Sequence, residues 1–273
     1  MELNWLESLL YGLLSGFSEF LPISSEAHRT LFLKLVGAGD NPVSRLAVHI
    51  GAVLAVIICS ATYISKLNRE RRIMAIPKKR RKRKPDLRTV LDFKILRTAA
   101  IPILLWFAAY PFVWDQGERL WILFLALVIN GVILYIPQHF PSANKDSLNL
   151  SASDSWLVGI VSGIGVFPGI SRLAGALSVF QLRGADSRFA LDISYLLYIP
   201  AAIGLLVFDF YGIFSVGGAF HLFKFLTMGA SSFIGACCGI YFMRFRAVKS
   251  GFSGFAFYSW GAALLSLVLY LAT

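Results

Sequence analysis

The run Gly12-Leu-Leu-Ser-Gly-Phe-Ser-Glu-Phe-Leu-Pro-Ile-Ser-Ser-Glu-Ala-His28 decides how this chain is read. It is apolar at both ends, yet its middle carries Glu19, Pro22, two serines, Glu26 and a histidine. A lipid-facing helix cannot carry that set, because an ionisable group at membrane depth costs about 2.5–3.5 kcal/mol or more unless it faces a cavity. Pro22 cannot continue a helix from the turn before it, so the spacing predicts a break near residues 20–23 and a restart at the serines. A restarted helix presents unpaired N–H groups, which attract anions. The stretch therefore predicts a buried, anion-handling site inside a membrane.

The rest of the composition agrees. Of 273 residues, 57% are hydrophobic and only 15% charged, and mean hydropathy lies well above zero, which defines a polytopic membrane protein. The net charge of +11 is local: residues 66–88 hold twelve Lys/Arg against Glu70 and Asp86, a net +10, which leaves +1 for everything else. One basic block beside a span reads as a cytoplasmic loop lying against anionic lipid. It does not read as a nucleic-acid surface, because no aromatics are interleaved with it. Cys59, Cys237 and Cys238 all fall in apolar segments and suit packing better than a disulfide or metal site. No Lys or Arg precedes Arg29, so a secretory signal is not expected at the N-terminus.

Working outward, residues 5–36 form the broken segment and 46–64 a span with His49 as its ionisable group. A basic loop occupies 66–97, and spans follow at 98–114 and 120–137, joined by the turn Asp115-Gln-Gly-Glu-Arg119. After a polar loop at 138–154, residues 155–180 are a second broken segment, interrupted by Gly163, Gly165, Pro168-Gly169 and Arg172. Three more spans are expected at about 189–210, 224–243 and 252–272.

The Lys/Arg asymmetry puts loops 66–97 and 138–154 inside, with Arg183, Arg188, Arg244, Arg246 and Lys249, and puts 115–119 and 211–220 outside. Both broken segments must then re-enter, from opposite faces. The halves also resemble one another: Gly12-Leu-Leu-Ser-Gly16 matches Gly159-Ile-Val-Ser-Gly163, and Phe20-Leu-Pro-Ile-Ser-Ser25 sits against Phe167-Pro-Gly-Ile-Ser-Arg172. The expected fold is thus a single all-α membrane domain over 1–273 with two inverted-topology repeats, about 1–137 and 155–273. Each is a re-entrant helical hairpin plus three transmembrane helices, and the two breaks meet at one pocket.

Ser25 and His28, three residues apart, share a face of the restarted helix and offer a hydroxyl beside an imidazole for nucleophilic attack with acid/base help. Arg172 supplies a planar fork for phosphate oxygens. Glu19 is a candidate ligand for a hard divalent cation, Mg²⁺ or Ca²⁺. Ser24 is a helix cap by type, and His49 and Asp192 read as supporting or packing residues. His139 and His221, at span ends, read as ordinary surface histidines.

Glu19-Phe-Leu-Pro-Ile-Ser-Ser25 with His28, His49-Ile-Gly51, Pro168-Gly-Ile-Ser-Arg172 and the Asp192-Ile-Ser194 span closely resemble the bacterial undecaprenyl-diphosphatase family. The likeness runs over nearly the whole chain, and the two long motifs together are highly specific. It implies an integral-membrane enzyme of the bacterial inner membrane that removes the terminal phosphate of a C55 polyprenyl diphosphate. That step recycles the lipid carrier for cell-wall synthesis, and the family is tied to bacitracin resistance. By resemblance Glu19 is the metal-linked glutamate, Ser25 the nucleophile, His28 the acid/base and Arg172 the phosphate-binding arginine. Ser24, Ser171 and Gly169 join Arg172 in holding substrate. The pocket is expected to open to the outer face, and a homodimer is an allowed assembly.

Three departures stand out. The family's earlier glutamate, four residues before Glu19, is Ser15 here; Glu26-Ala27 follows the second serine; and Leu173-Ala-Gly-Ala176 loses two hydroxyls usual after the arginine. Glu26, two helical turns from Glu19, is the candidate replacement carboxylate and a second candidate metal ligand. The same losses keep open a second reading, a polyprenyl-phosphate transporter that binds the lipid without cleaving it, and a third, a non-catalytic lipid-binding membrane protein.

Overall fold

The computed structural model describes residues 3–113, 119–141, 143–217, 220–249 and 251–272. The expected turn at 115–119 falls, apart from Arg119, outside these residues, as do 218–219 of the 211–220 loop. Twelve α-helices follow in order among the described residues: α1 Trp5–Glu19, α2 Ser25–Val36, α3 Pro42–Cys59, α4 Ala61–Ala75, α5 Leu87–Trp106, α6 Tyr110–Val113, α7 Leu120–Tyr135, α8 Ala152–Gly163, α9 Arg172–Leu182, α10 Ser187–Val216, α11 Leu222–Lys249 and α12 Gly254–Ala272. Strands are absent among them, and six helical stretches are long and apolar enough to cross a membrane.

The two broken segments break where the prolines and glycine require. Asn4 caps α1 reciprocally with Glu7, its Oδ1 accepting from the Glu7 N–H at 2.9 Å while Glu7 accepts from the Asn4 N–H at 2.7 Å. The helix ends at Glu19, the chain turns through Phe20–Ser24, and α2 restarts at Ser25. Ser24 takes φ +64°, a left-handed conformation unusual for a residue with a Cβ, and its Oγ caps the Ala27 N–H. In the second break Gly169 takes the left-handed turn, at φ +94°, and Ser171 Oγ caps Ala174 N–H at 3.2 Å. At a rise of about 1.5 Å per residue, α2, α8 and α9 are each roughly 16–18 Å long and α1 about 22 Å, short of a core about 30 Å thick. No arm of either hairpin can cross alone.

Close backbone contact seats each hairpin. The α1 arm packs against α11, and the α8 arm against α5. A Cβ on Gly16 would lie 1.9 Å from the Ser232 carbonyl oxygen, and one on Gly159 would lie 2.2 Å from that of Ala99. Only glycine admits such approach, the small-residue packing that membranes favour where no water is expelled. Helices α3 and α10 pack on each other, as do α7 and α12. The largest apolar core surrounds the hairpin tips and includes Phe20, Leu173, Leu177, Phe180, Tyr195 and Tyr198. Outward-facing Leu, Ile and Phe, among them Ile203, Phe214, Leu264 and Leu271, are exposed and form the lipid-facing coat.

The expected basic loop 66–97 is largely helical instead. Helix α4 runs on to Ala75 and α5 begins at Leu87, so the irregular part is 76–86, containing a 3₁₀ turn at Lys78–Arg80. Glu70 organises it. Its carboxylate accepts from Arg83 at 2.6 and 3.2 Å and from the Asp86 N–H at 3.0 Å, and Asp86 in turn pairs with Lys66 at 3.0 Å. Those bonds hold the Glu70 carboxyl below the usual range, the Arg83 hydrogen bond contributing most. The loops expected on one side do meet: Arg88 pairs with Asp146 at 3.2 Å, Arg183 with Asp154 at 2.8 Å, and Lys145 N–H bonds to Gly184 O at 3.0 Å.

Candidate active site

The tips of the two hairpins meet. Arg172 Nη2 lies 2.5 Å from Glu19 Oε1, and Ser25 Oγ donates to Glu19 Oε2. Two side chains, one from each hairpin, thus share the buried Glu19 carboxylate. Asn130, fully buried on α7, holds the tips together: its Nδ2 donates to Pro22 O at 3.1 Å and to Ser259 Oγ at 3.0 Å, and its Oδ1 accepts the Ser171 N–H at 2.8 Å. Tyr195 OH adds a 3.4 Å bond to Phe20 O, and the Phe20 ring packs edge-on against Tyr195 and Tyr198.

A cavity of about 50 Å³ lies between the tips. Glu19, Ser24, Ser25, Glu26, Ser171 and Arg172 line it, with Arg29, Tyr110, Ser194 and Tyr198. That is room for a few waters, so a diphosphate must displace Arg172 from Glu19 or move the aromatic wall. Arg172 sits 6.0 Å from the Tyr198 ring centroid, and the Tyr198 hydroxyl is buried with no hydrogen-bond partner among the described residues. A bound oxyanion would satisfy it.

Two expected site residues are placed elsewhere. His28 faces away from the cavity: its Nδ1 is 2.7 Å from Ser24 O, and its Nε2 is 2.8 Å from Tyr258 OH, whose ring stacks on it. Ser25 and His28 stand on one helix, but the hydroxyl turns to Glu19 and the imidazole to α12. The local bond at Ser24 O and the packing against Tyr258 override the simple spacing argument. His28 lines a separate apolar groove with Leu31, Phe32, Leu35 and Leu265. Gly169 does not line the cavity either; a Cβ there would meet Ala126 Cβ at 2.5 Å, so this glycine serves the turn. Ser24 and Ser171 line the cavity while their hydroxyls cap α2 and α9.

Residues the sequence reading passed over complete the site. Arg29, buried on α2, binds Glu26 through Nη2 and approaches Glu19 Oε2 to 3.8 Å and His49 Nε2 to 3.1 Å through Nη1. His49 Nδ1 is 2.5 Å from Asp209 Oδ2, and Arg45 bonds to the other Asp209 oxygen at 3.3 Å. Because Arg29 only donates, His49 Nε2 accepts and Nδ1 carries the proton toward Asp209. Asn130 and Asp209 each interrupt an apolar setting, the same signal that marked Arg172, whereas Arg29 stands in the polar run Ser24–Thr30 and carried no such signal. Asp192 pairs with Arg244 at 3.1 Å beside Cys59 O and lines a different pocket with Lys66 and Arg69. Cys59 and Cys237 are free thiols with sulfurs 3.6 Å apart, and His139 and His221 are exposed.

The donor set does not fit the divalent cation that the resemblance implies at Glu19 and Glu26. Both Glu19 oxygens and one of Glu26 are engaged by guanidinium or hydroxyl groups, and Ser15 Oγ, at the family's earlier glutamate position, donates to Tyr11 O at 2.5 Å. Among the described residues, no three His, Cys, Asp or Glu side chains gather as a cation would require.

Fold and site together define a multi-pass membrane protein with a buried carboxylate–hydroxyl–guanidinium centre between two helical hairpins. Residues 8–265 match the family described as Bacitracin resistance protein BacA, and the chain belongs to it. It is 31% identical over 211 residues to the undecaprenyl-diphosphatase of Nocardioides sp. (strain ATCC BAA-499 / JS614), covering 76% of this chain and 74% of the relative. It is 27% identical over 275 residues, 98% of both chains, to that of Carboxydothermus hydrogenoformans. A third relative, the undecaprenyl-diphosphatase of Renibacterium salmoninarum, is 27% identical over 277 residues, covering 98% and 96%.

Proposed function

We propose that this protein is an undecaprenyl-diphosphate phosphatase, converting the polyprenyl diphosphate to its monophosphate and so returning the carrier lipid to cell-wall synthesis. The observation that carries the reading is the Ser25–Glu19–Arg172 contact, a nucleophile bonded to a base that is itself bonded to a phosphate-binding cation. Substrate draws Arg172 from Glu19 onto the phosphoryl oxygens, where its fork meets the charge that develops in transfer. Ser25 Oγ attacks the terminal phosphorus as its proton passes to Glu19 Oε2. The bond from that phosphorus to the bridging oxygen breaks, and the departing monophosphate carries the proton away. Glu19 then takes a proton from the water that cleaves the phosphoserine, inorganic phosphate leaves, and the proton returns to Ser25.

The swapped contacts, α1 on α11 and α8 on α5, with Gly16 and Gly159 at matching places, support two inverted repeats of a hairpin and three spans. The basic face at 66–88, in contact with the 138–154 loop, supports an orientation with that face in the cytoplasm against anionic lipid. The first hairpin then enters from the outer face of the bacterial inner membrane, and the site opens there. A transport role is not favoured, since the relatives above carry the name of a phosphatase. Purified protein is expected to release inorganic phosphate from undecaprenyl diphosphate, and Ser25→Ala or Glu19→Gln to abolish release while retaining lipid binding. Full release by both variants would overturn this chemistry.

A further inference from the structure

We propose that Arg29 takes the part of a divalent cation in this chain, so that the site meets its diphosphate with two guanidiniums and turns over without metal. The inference rests on the phosphatase reading and concerns how that site is charged.

Arg29 is 3% exposed and sits where a cation bridging the two glutamates would lie, with Nη2 on Glu26 and Nη1 3.8 Å from Glu19 Oε2. Arg172 holds the other Glu19 oxygen at 2.5 Å. A Mg²⁺ or Ca²⁺ ion takes six or more oxygens. Here its entry at Glu19 would set it between two guanidiniums, that of buried Arg29 and that of partly exposed Arg172, with Ser15 Oγ turned away to Tyr11 O. Arg29 is also built in from behind. Asp209 fixes the His49 tautomer, and His49 Nε2 accepts Nη1 at 3.1 Å. Its Nε is buried with no hydrogen-bond partner among the described residues, in a side chain that lines the cavity. An N–H held unpaired at the wall of an anion site is a donor waiting for a phosphoryl oxygen. Relative to the family pattern the chain has Ser15 in place of a glutamate and gains Glu26, so the carboxylate count is unchanged, while Arg29 sets one fixed positive charge between the two glutamates in place of a mobile ion.

Two measurements on purified full-length protein in detergent test this. The first is equilibrium dialysis of chelator-treated protein against Ca²⁺ or Mg²⁺, with bound metal counted by mass spectrometry. The second is phosphate release from undecaprenyl diphosphate in EDTA and in added Mg²⁺ or Ca²⁺. Wild type is expected to bind no stoichiometric cation and to release phosphate equally with and without EDTA. Arg29→Lys should stay metal-independent at a reduced rate, and Ser15→Glu/Arg29→Gln should bind one Ca²⁺ per chain and become EDTA-sensitive. One tightly bound cation per wild-type chain, or release that EDTA abolishes and Ca²⁺ or Mg²⁺ restores, would overturn the proposal. Should the double variant not fold, the wild-type dialysis still decides. Absence of release under every condition would sink the phosphatase reading instead, with the dialysis still ruling on Arg29.

Discussion

Arg172 Nη2 and Glu19 Oε1 lie 2.5 Å apart across 153 residues of sequence, one at the start of α9 and the other at the end of α1. The pair joins the two hairpins, and in the proposed chemistry the arginine leaves the carboxylate to take a phosphate. Arg172→Lys keeps the charge but not the fork, and is expected to lower phosphate release by about 10²–10³-fold, the size of losing a donor aimed at developing charge. Steady-state release with undecaprenyl diphosphate checks this; near-wild-type turnover in the lysine variant would show that the fork is not used.

His28 gives the prediction that departs furthest from the family resemblance. Both ring nitrogens are engaged, by Ser24 O and Tyr258 OH, beside the left-handed turn at Ser24, and we propose that His28 supports that turn rather than moving protons. His28→Gln and Tyr258→Phe should each slow release by about tenfold, the equivalent of one buried hydrogen bond. Neither should remove a limb from the pH–rate profile. Loss of a limb in His28→Gln alone would restore the imidazole to acid/base duty.

Asn130 makes three bonds that tie Pro22, Ser171 and Ser259 into one unit. Replacement by Leu leaves buried donors and acceptors unpaired, and is expected to cost about 2–4 kcal/mol. A lowered unfolding temperature in detergent, accompanied by loss of phosphate release, is the expected signature; an unchanged unfolding temperature would mean the tips are held by packing alone.

Gly16 lies under the Ser232 backbone, where a Cβ would come within 1.9 Å of the carbonyl oxygen. Gly16→Ala should therefore force α1 off α11 and destabilise by about 1–3 kcal/mol, the usual range for overpacking. Gly37, with nothing within 4 Å of its Cβ position but φ +67°, should suffer only the milder backbone penalty on the same change. Thermal unfolding of the two variants side by side distinguishes these outcomes.

Glu70 predicts a pH response at the basic face. Its folded carboxyl is held below its ordinary value, first by Arg83 and then by the Asp86 N–H. The stability it contributes is therefore complete above about pH 4.3, the unfolded value, and is lost as pH falls through the lower folded one. Hydrogen-exchange protection over 76–86, taken relative to the intrinsic rate at each pH, should hold down to that range and fall below it. Glu70→Gln should remove this dependence and expose the segment to trypsin at neutral pH.

The sequence by itself determined the membrane, the two breaks and most of the groups that meet between the hairpin tips. Proline, left-handed glycine and intramembrane charge are local physical facts: each limits the backbone or the solvent a residue can tolerate, whatever surrounds it. Glu19 and Arg172 were legible on those grounds, and Ser25 from its spacing to His28 and from the family motif. The tertiary structure alone decided which groups face one another. Three-residue spacing put Ser25 and His28 on a common face, but Tyr258, 230 residues away, turned the imidazole aside. Spacing cannot see such a partner. Nor can it show that Asn130 bridges the tips, or that Glu19 and Glu26 find an arginine between them in place of an ion, because both depend on helices that meet only after the chain has packed. The basic segment divides in the same way: its charge set the expected side of the membrane, while the packed structure shows that most of it is helix and that Glu70, reaching Arg83 and Asp86, holds the irregular stretch 76–86.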